Sequence, residues 1–336
     1  MTKINQPLVS IITPGWNGVE FVHRLLDSIL QQTYSNIEYI YVDDGSTDGT
    51  KDVVLSYQNK FEERGISFEY IWKKNGGVSS TVLEGLKHIN GEFVCWPEYD
   101  DWLTPNSIER RVKYLQAHPD CAVVTSEAWL VSEANINKII GVLSSHNKNR
   151  FDRNHFTQML RSDTIFTAAC HMCRVDKFDE THPNRDFYAG LTGPNVQILL
   201  PLYYKYNRGF IEEPLCYYMI REDSISNSNQ KTIEKQCWAI TEFINVFFNT
   251  LDMIEMSEED RKIYKDIVSQ KYADDRITLG YKNMNRDIFM IGYTYYQQTH
   301  KYMSPQIKKY VSIMDNNNSF RRNKMLRKIK HLLLNR

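Results

Sequence analysis

The chain has no apolar run of the roughly 18 residues that a membrane-spanning helix needs. Its opening, MTKINQPLVS, lacks the apolar stretch of a secretory signal, so a cytoplasmic setting is expected. There is no excess of charge: 41 Lys and Arg face 41 Asp and Glu, and no overall basic field points to nucleic acid. Two phosphate-binding loops are also missing. No GxGxxG follows the first predicted strand, and no GxxxxGK[ST] occurs anywhere. These absences remove the usual dinucleotide fold and P-loop chemistry. The six cysteines are scattered, and only Cys170 and Cys173 have the spacing of a redox or zinc pair. No second pair completes four ligands, so reduced and mostly buried thiols are expected.

What remains is an ordinary globular composition, 42% hydrophobic and 24% charged, in a length that suits one large or two unequal domains. Its centre is the run GEFVCWPEYDDWLTPNS. Phe93 to Trp96 reads as a short buried strand, and Glu98, Asp100 and Asp101 follow at once. Thr104-Pro105 opens the next helix, predicted over 103–118. The carboxylates therefore fall at the carboxyl end of a strand, where open α/β sheets bind ligands. Hard oxygens there suit Mg2+ or Mn2+, shared with substrate phosphates.

The segments before this run alternate. Strands are predicted over 8–13, 37–42 and 67–72, and helices over 21–30, 51–64 and 79–89. The second strand ends in DDGSTDGT, so acidic groups again stand at a strand's carboxyl end. Such alternation predicts a right-handed, largely parallel α/β layer. Further on, strands are expected over 121–131, 165–174 and 215–220, a helix over 151–160, and a polar surface loop over 132–150.

PLVSIITPGWNG, YVDDGSTDGT, KNGGVSS and GEFVCWPEYDDW resemble, in order and spacing, the successive signatures of family-2 glycosyltransferases with the GT-A fold. The resemblance is sharpest over about residues 7–105 and continues to about 228. It implies a GT-A domain over 1–228, with a nucleotide-sugar half to about 105 and an acceptor half beyond. Thr13, Pro14 and Asp44 would line the base and ribose pocket, with Asn75 and Gly77 in the loop beside it. The metal motif falls on Glu98 and Asp100, with Tyr99 between them in the donor site, and Asp100 as the first choice of ligand for Mn2+ or Mg2+. Arg221 would contact the diphosphate.

Two positions depart from the family pattern. Many relatives carry Arg-Asn where this chain has Val82 and Leu83. Inverting members commonly take their base from a Glu-Asp pair, which by register falls here on Pro194 and Asn195. Asn195 cannot usefully accept a proton; it can cap the helix or hydrogen-bond an acceptor hydroxyl. Asp186 is then the nearest upstream carboxylate for a base, with Glu222 and Asp223 as competitors.

From about 229 the pattern turns helical, ending in FRRNKMLRKIKHLLLNR, which is basic and amphipathic. That tail suits either the inner face of an anionic membrane or packing on the protein itself or a homodimer partner. The expectation is an inverting, metal-dependent transferase. It would move a hexose or N-acetylhexosamine from a UDP-linked donor to a saccharide, free or lipid-linked, in bacterial surface polysaccharide synthesis. A nucleotide-sugar-binding protein without transferase activity is the rival. A nucleotidyltransferase would want a basic, glycine-rich first loop, and TPGWNG has no basic residue.

Overall fold

The structure, a computed structural model, describes residues 6–144, 147–221, 224 and 232–316. The expectations for Glu222, Asp223 and the basic tail lie outside these residues. The chain forms two compact units, Met1–Arg221 with Asn249–Glu255, and Glu222–Phe248 with Met256–Arg336.

The first unit opens with β1 (Val9–Gly15), α1 (Val22–Leu30), β2 (Ile37–Asp43), α2 (Thr50–Leu55), α3 (Gln58–Arg64), β3 (Ser67–Trp72), α4 (Val78–Leu86) and β4 (Phe93–Cys95). Every residue of β1 and β2 is buried, as strands covered on both faces require. The four strands are parallel in the order β3-β2-β1-β4. The chain adds strands on one side of β1, then crosses to the other. That reversal makes a crevice at the carboxyl ends of β1, β2 and β4. Gly85 lets α4 lie directly on β1, since a Cβ there would stand 2.4 Å from Ile12 Cγ2.

The second half of the sheet is mixed. It contains β5 (Trp102–Leu103), β6 (Cys121–Ser132), β7 (Asn135–Val142), β8 (His171–Arg174) and β9 (Asn207–Ile220). Their order continues β4-β8-β6-β9-β5, with β7 on the far part of β6. β6 and β9 are parallel, whereas the pairings of β8, β7 and β5 are antiparallel. Around them lie α5 (Ser107–Ala117), α6 (Phe156–Leu160), α7 (Val175–Thr181) and α8 (Pro194–Lys205).

Several local expectations are corrected. Part of the polar stretch 132–150 is β7, whose exposed residues hide its pairing from a search for apolar alternation. The single helix over 51–64 is broken at Ser56, whose hydroxyl donates to Val53 O and competes with the helix ladder. The helix expected from 103 begins at Ser107, because Trp102 and Leu103 pair with Tyr217 and Cys216. Of the strand over 165–174 only His171–Arg174 pairs in the sheet, after a 3-10 turn at Ala168–Cys170.

At the amino edge of the sheet the buried Glu38 joins three segments. Its carboxylate accepts from Ser10 Oγ at 2.5 Å and from the Asn90 and Gly91 amides at 2.6 and 3.2 Å.

In the second unit, Glu258–Lys282, Arg286–Thr299 and Pro305–Asn316 are helices. They pack around Ala273, Ile277, Phe289, Tyr296, Ile307 and Met314. Ser257 and Asn285 cap two of them, accepting from the amides of Asp260 and Ile288. Among the described residues no helix is long and apolar enough to cross a membrane.

Candidate active site

The crevice is built from three strand ends. After β2, Asp44 is 4% exposed and its amide donates to Gly15 O at 2.8 Å. Its Oδ1 accepts from Lys73 Nζ at 2.6 Å and from the Gly76 amide at 2.9 Å; Oδ2 accepts from the Gly77 amide at 2.8 Å. One carboxylate thus organises the loop that the sequence assigned to the same pocket. Gly77 adopts φ 88°, and a Cβ there would lie 3.1 Å from the Leu191 backbone. Both conditions call for glycine. Asn75 is exposed, and its backbone packs against Gly45.

After β1, Thr13 and Pro14 are buried within the sheet, in register with Tyr41 and Val42. The side chain that opens to solvent is Trp16, 52% exposed, which motif reading passed over. Its neighbours are pinned. The Asn17 amide donates to Ser46 Oγ at 2.9 Å, Asn17 Oδ1 accepts from the Thr47 amide at 2.9 Å, and the Gly18 amide donates to Thr50 Oγ1 at 2.8 Å. An indole held on a fixed backbone beside Asp44 is a ready stacking surface. The signal in the sequence was an aromatic residue inside a strand-ending turn.

After β4 the acidic residues divide their tasks. Asp101 is buried, and its Oδ1 accepts from the Met219 amide at 3.1 Å, which ties the loop to β9. Burial and the neighbouring Asp100 hold its pKa well above the usual range. Asp100 Oδ2 pairs with Arg221 Nη1 at 2.7 Å. Tyr99 packs on the backbone of Gly18, where a Cβ would stand 2.5 Å from its ring. Glu98 is half-buried, and desolvation followed by the charge of Asp100 pushes its pKa to about 7.

A carboxyl group whose folded pKa lies above its usual 4.5 loses stability as pH rises from 4.5 to about 7. Glu98→Gln is therefore expected to stabilise the metal-free protein at pH 8 by on the order of 2 kcal/mol. The gain should vanish towards pH 4.5. Thermal melts in EDTA at pH 5 and pH 8 check this, and a difference that ignores pH would disprove it.

Asn195 and the base candidate Asp186 lie in different surroundings. Asn195 is the second residue of α8; its Oδ1 accepts from Trp96 Nε1 at 2.6 Å, and its Nδ2 donates to Phe166 O. It is a bridge between β4 and the 166 segment, and its side chain makes no helix cap. Asp186 is exposed, and its carboxylate accepts from the adjacent Phe187 amide. The preceding Arg185 donates to Leu86 O and Ile89 O at 3.2 and 2.9 Å, at the carboxyl end of α4. The Asp44 loop lies at the opposite end of that helix, where Leu191 packs against Gly77.

Among the described residues no group of three or more His, Cys, Asp or Glu is arranged to hold a metal. Glu98 and Asp100 nevertheless fit a divalent cation that takes its other ligands from phosphate: two hard carboxylates lie close enough that one raises the pKa of the other.

Residues 10–181 match the family described as Glycosyl transferase family 2. The chain is 43% identical over 109 residues to an uncharacterized glycosyltransferase of Rickettsia typhi, a match covering 32% of each protein. It is 26% identical over 225 residues to the glycosyltransferase GlyA of Streptococcus pneumoniae, covering 65% of this chain and 31% of that one. The matches thus span about a third of these relatives' length. Among solved structures, the Staphylococcus aureus TarS fragment 1–349 in complex with UDP superposes with a TM-score of 0.55 at 16% identity, over 88% of this chain and 93% of that one. The Pyrobaculum calidifontis mannosyltransferase PcManGT, in complex with GDP-Man and Mn2+, gives 0.56 at 14% identity, over 92% and 80%. These likenesses show the fold, a mixed α/β GT-A architecture. The chain belongs to glycosyl transferase family 2.

Proposed function

We propose that this protein transfers a glycosyl group from a nucleoside diphosphate sugar to a hydroxyl acceptor. The observation that carries the reading is the crevice itself, with Asp44, the exposed Trp16 and the Asp100–Arg221 pair on three neighbouring strand ends. In this reading Trp16 stacks on the base, and Asp44 with the loop at Asn75 and Gly77 holds the nucleoside. Glu98 and Asp100 would hold Mn2+ or Mg2+, which when bound supplies positive charge against the departing diphosphate. Arg221 adds a fixed positive charge beside the same carboxylates. An acceptor hydroxyl attacks the sugar carbon opposite the departing diphosphate and gives its proton to a base, so the carbon inverts through an oxocarbenium-like state. Placing the leaving group and stabilising its charge contributes much of the rate.

For the donor we propose a UDP-linked hexose or N-acetylhexosamine; the TarS fragment is also known in complex with UDP-GlcNAc. For the acceptor we propose a bacterial surface saccharide, free or lipid-linked. A Bacillus subtilis relative, 33% identical over 110 residues, is named for teichuronic acid biosynthesis.

Calorimetric titration of UDP with Mn2+ and with EDTA tests the donor site. Wild type is expected to bind UDP more tightly with Mn2+. Trp16→Ala should weaken UDP by about tenfold or more, the worth of one base–aromatic stack. Silence towards UDP, GDP, CDP and dTDP under both conditions would remove the reading. The rival, a nucleotide-sugar-binding protein without turnover, draws on Asn195, whose amide is engaged by Trp96 and Phe166. Tight binding of UDP-sugars with neither transfer nor hydrolysis would favour it.

A further inference from the structure

The Phe21 ring carries two guanidinium groups. Arg221 stands 3.9 Å from its centroid and is paired with Asp100 at 2.7 Å. Arg24, in the first turn of α1, stands 5.9 Å from the same centroid. Among the described residues Arg24 has no carboxylate partner: apart from the ring, its guanidinium meets only Met219 Sδ, at 3.9 Å. The acid one turn further along α1, Asp27, accepts from the Tyr57 hydroxyl at 2.9 Å instead. Met219 is also the residue whose amide donates to Asp101, so this charge stands beside the acidic loop. Arg24 is half-buried. A cation there gives up part of its hydration, and a thioether and a ring return little of it.

We propose that Arg24 holds a phosphate group in the crevice, as an anion-binding residue beside the Asp100–Arg221 pair. The inference rests on the donor reading above. In the strand order β3-β2-β1-β4, the end of β1 lies between the ends of β2 and β4. A donor with its nucleoside at Asp44 and its cation at Asp100 therefore lays its diphosphate across the end of β1, from which the chain enters α1. Arg24 is the cation that α1 presents in its first turn. Its planar fork of donors matches phosphate oxygens, and the ring steadies that fork without using up its donors. Arg221 keeps Asp100 throughout, so the anion answers a charge that the protein itself leaves without an acid. A phosphate-linked saccharide acceptor offers the same oxyanion, and the two sources are separable by experiment.

The test titrates UDP, UMP and inorganic pyrophosphate into the full chain by calorimetry, in EDTA so that no metal masks the arginine. Arg24→Gln is expected to weaken UDP by about tenfold or more, the worth of one hydrogen bond to a charged group, and UMP by clearly less. Arg24→Lys keeps the charge without the fork and should recover part of the loss. Added salt should narrow the gap between wild type and Arg24→Gln. The melting temperature should not fall, because no internal ion pair is removed. That pattern assigns the phosphate to the donor. Should UDP and UMP bind the variant as they bind wild type, while pyrophosphate binds UDP-loaded wild type and not the UDP-loaded variant, the phosphate is the acceptor's. Equal weakening of UDP and UMP would overturn the proposal, and so would unchanged binding of all three anions; in either case UDP binding by wild type leaves the donor reading standing. Should wild type bind neither UDP nor pyrophosphate, both fail together.

Discussion

Replacing Asp100 by alanine is expected to lower glycosyl transfer by about 10²–10³-fold, the usual cost of removing one electrostatic stabiliser of developing charge. Two effects combine. In the proposed reading the cation loses its principal carboxylate, and Glu98 alone would remain beside it. Arg221 loses its ion-pair contact at 2.7 Å. The variant should therefore keep metal-independent UDP binding and lose the tightening that Mn2+ gives. That split separates Asp100 from Trp16, whose loss weakens UDP with and without metal alike. Titration of UDP into Asp100→Ala with Mn2+ and with EDTA checks it. Undiminished metal dependence would remove Asp100 from the site, whatever the turnover.

The largest expected effect on stability lies at the opposite edge of the sheet. Glu38 is 7% exposed and opposite Ser10 in the β1–β2 register. Its carboxylate accepts from Ser10 Oγ, from the backbone amides of Asn90 and Gly91, and from Asn90 Nδ2. Asn90 is exposed and can turn to water, whereas Ser10 and Gly91 are buried. Glu38→Ala leaves the buried Ser10 hydroxyl without its acceptor, at about 1–3 kcal/mol, while the Gly91 amide keeps Ser10 Oγ at 2.9 Å. A loss of about 2 kcal/mol, or a Tm lower by about 6 °C, is expected. Glu38→Gln keeps one acceptor oxygen and should recover about half. A melt within about 2 °C of wild type for Glu38→Ala would show that the strand ends hold without it.

The alternation of β1, α1, β2 and their successors is legible because hydrophobic period and turn residues are local properties. The strand-ending acids Asp44 and Asp100 are legible for the same reason: a buried apolar run followed at once by carboxylates can hardly end elsewhere than at the sheet's edge. Family signatures added roles to these positions, since each signature is contiguous. β7 was missed because an edge strand with an exposed surface carries no apolar alternation. Trp16 was missed because exposure depends on where Asn17 and Gly18 are pinned by the 46–50 loop.

By itself, then, the sequence determined the order of elements, the crevice at the carboxyl ends of the first strands and the carboxylates that face it. Only the tertiary structure decided how those groups are partnered. Asp100 meets Arg221 across 121 positions, Asn195 meets Trp96 across 99, and Asp44 gathers Gly77 across 33. It also placed the Arg185 guanidinium, next to Asp186, on the carboxyl end of α4. The reason is physical. Which elements form follows from periodicity along the chain, whereas which charge neutralises which follows from sheet register and close packing, and these bring together residues that share no local pattern.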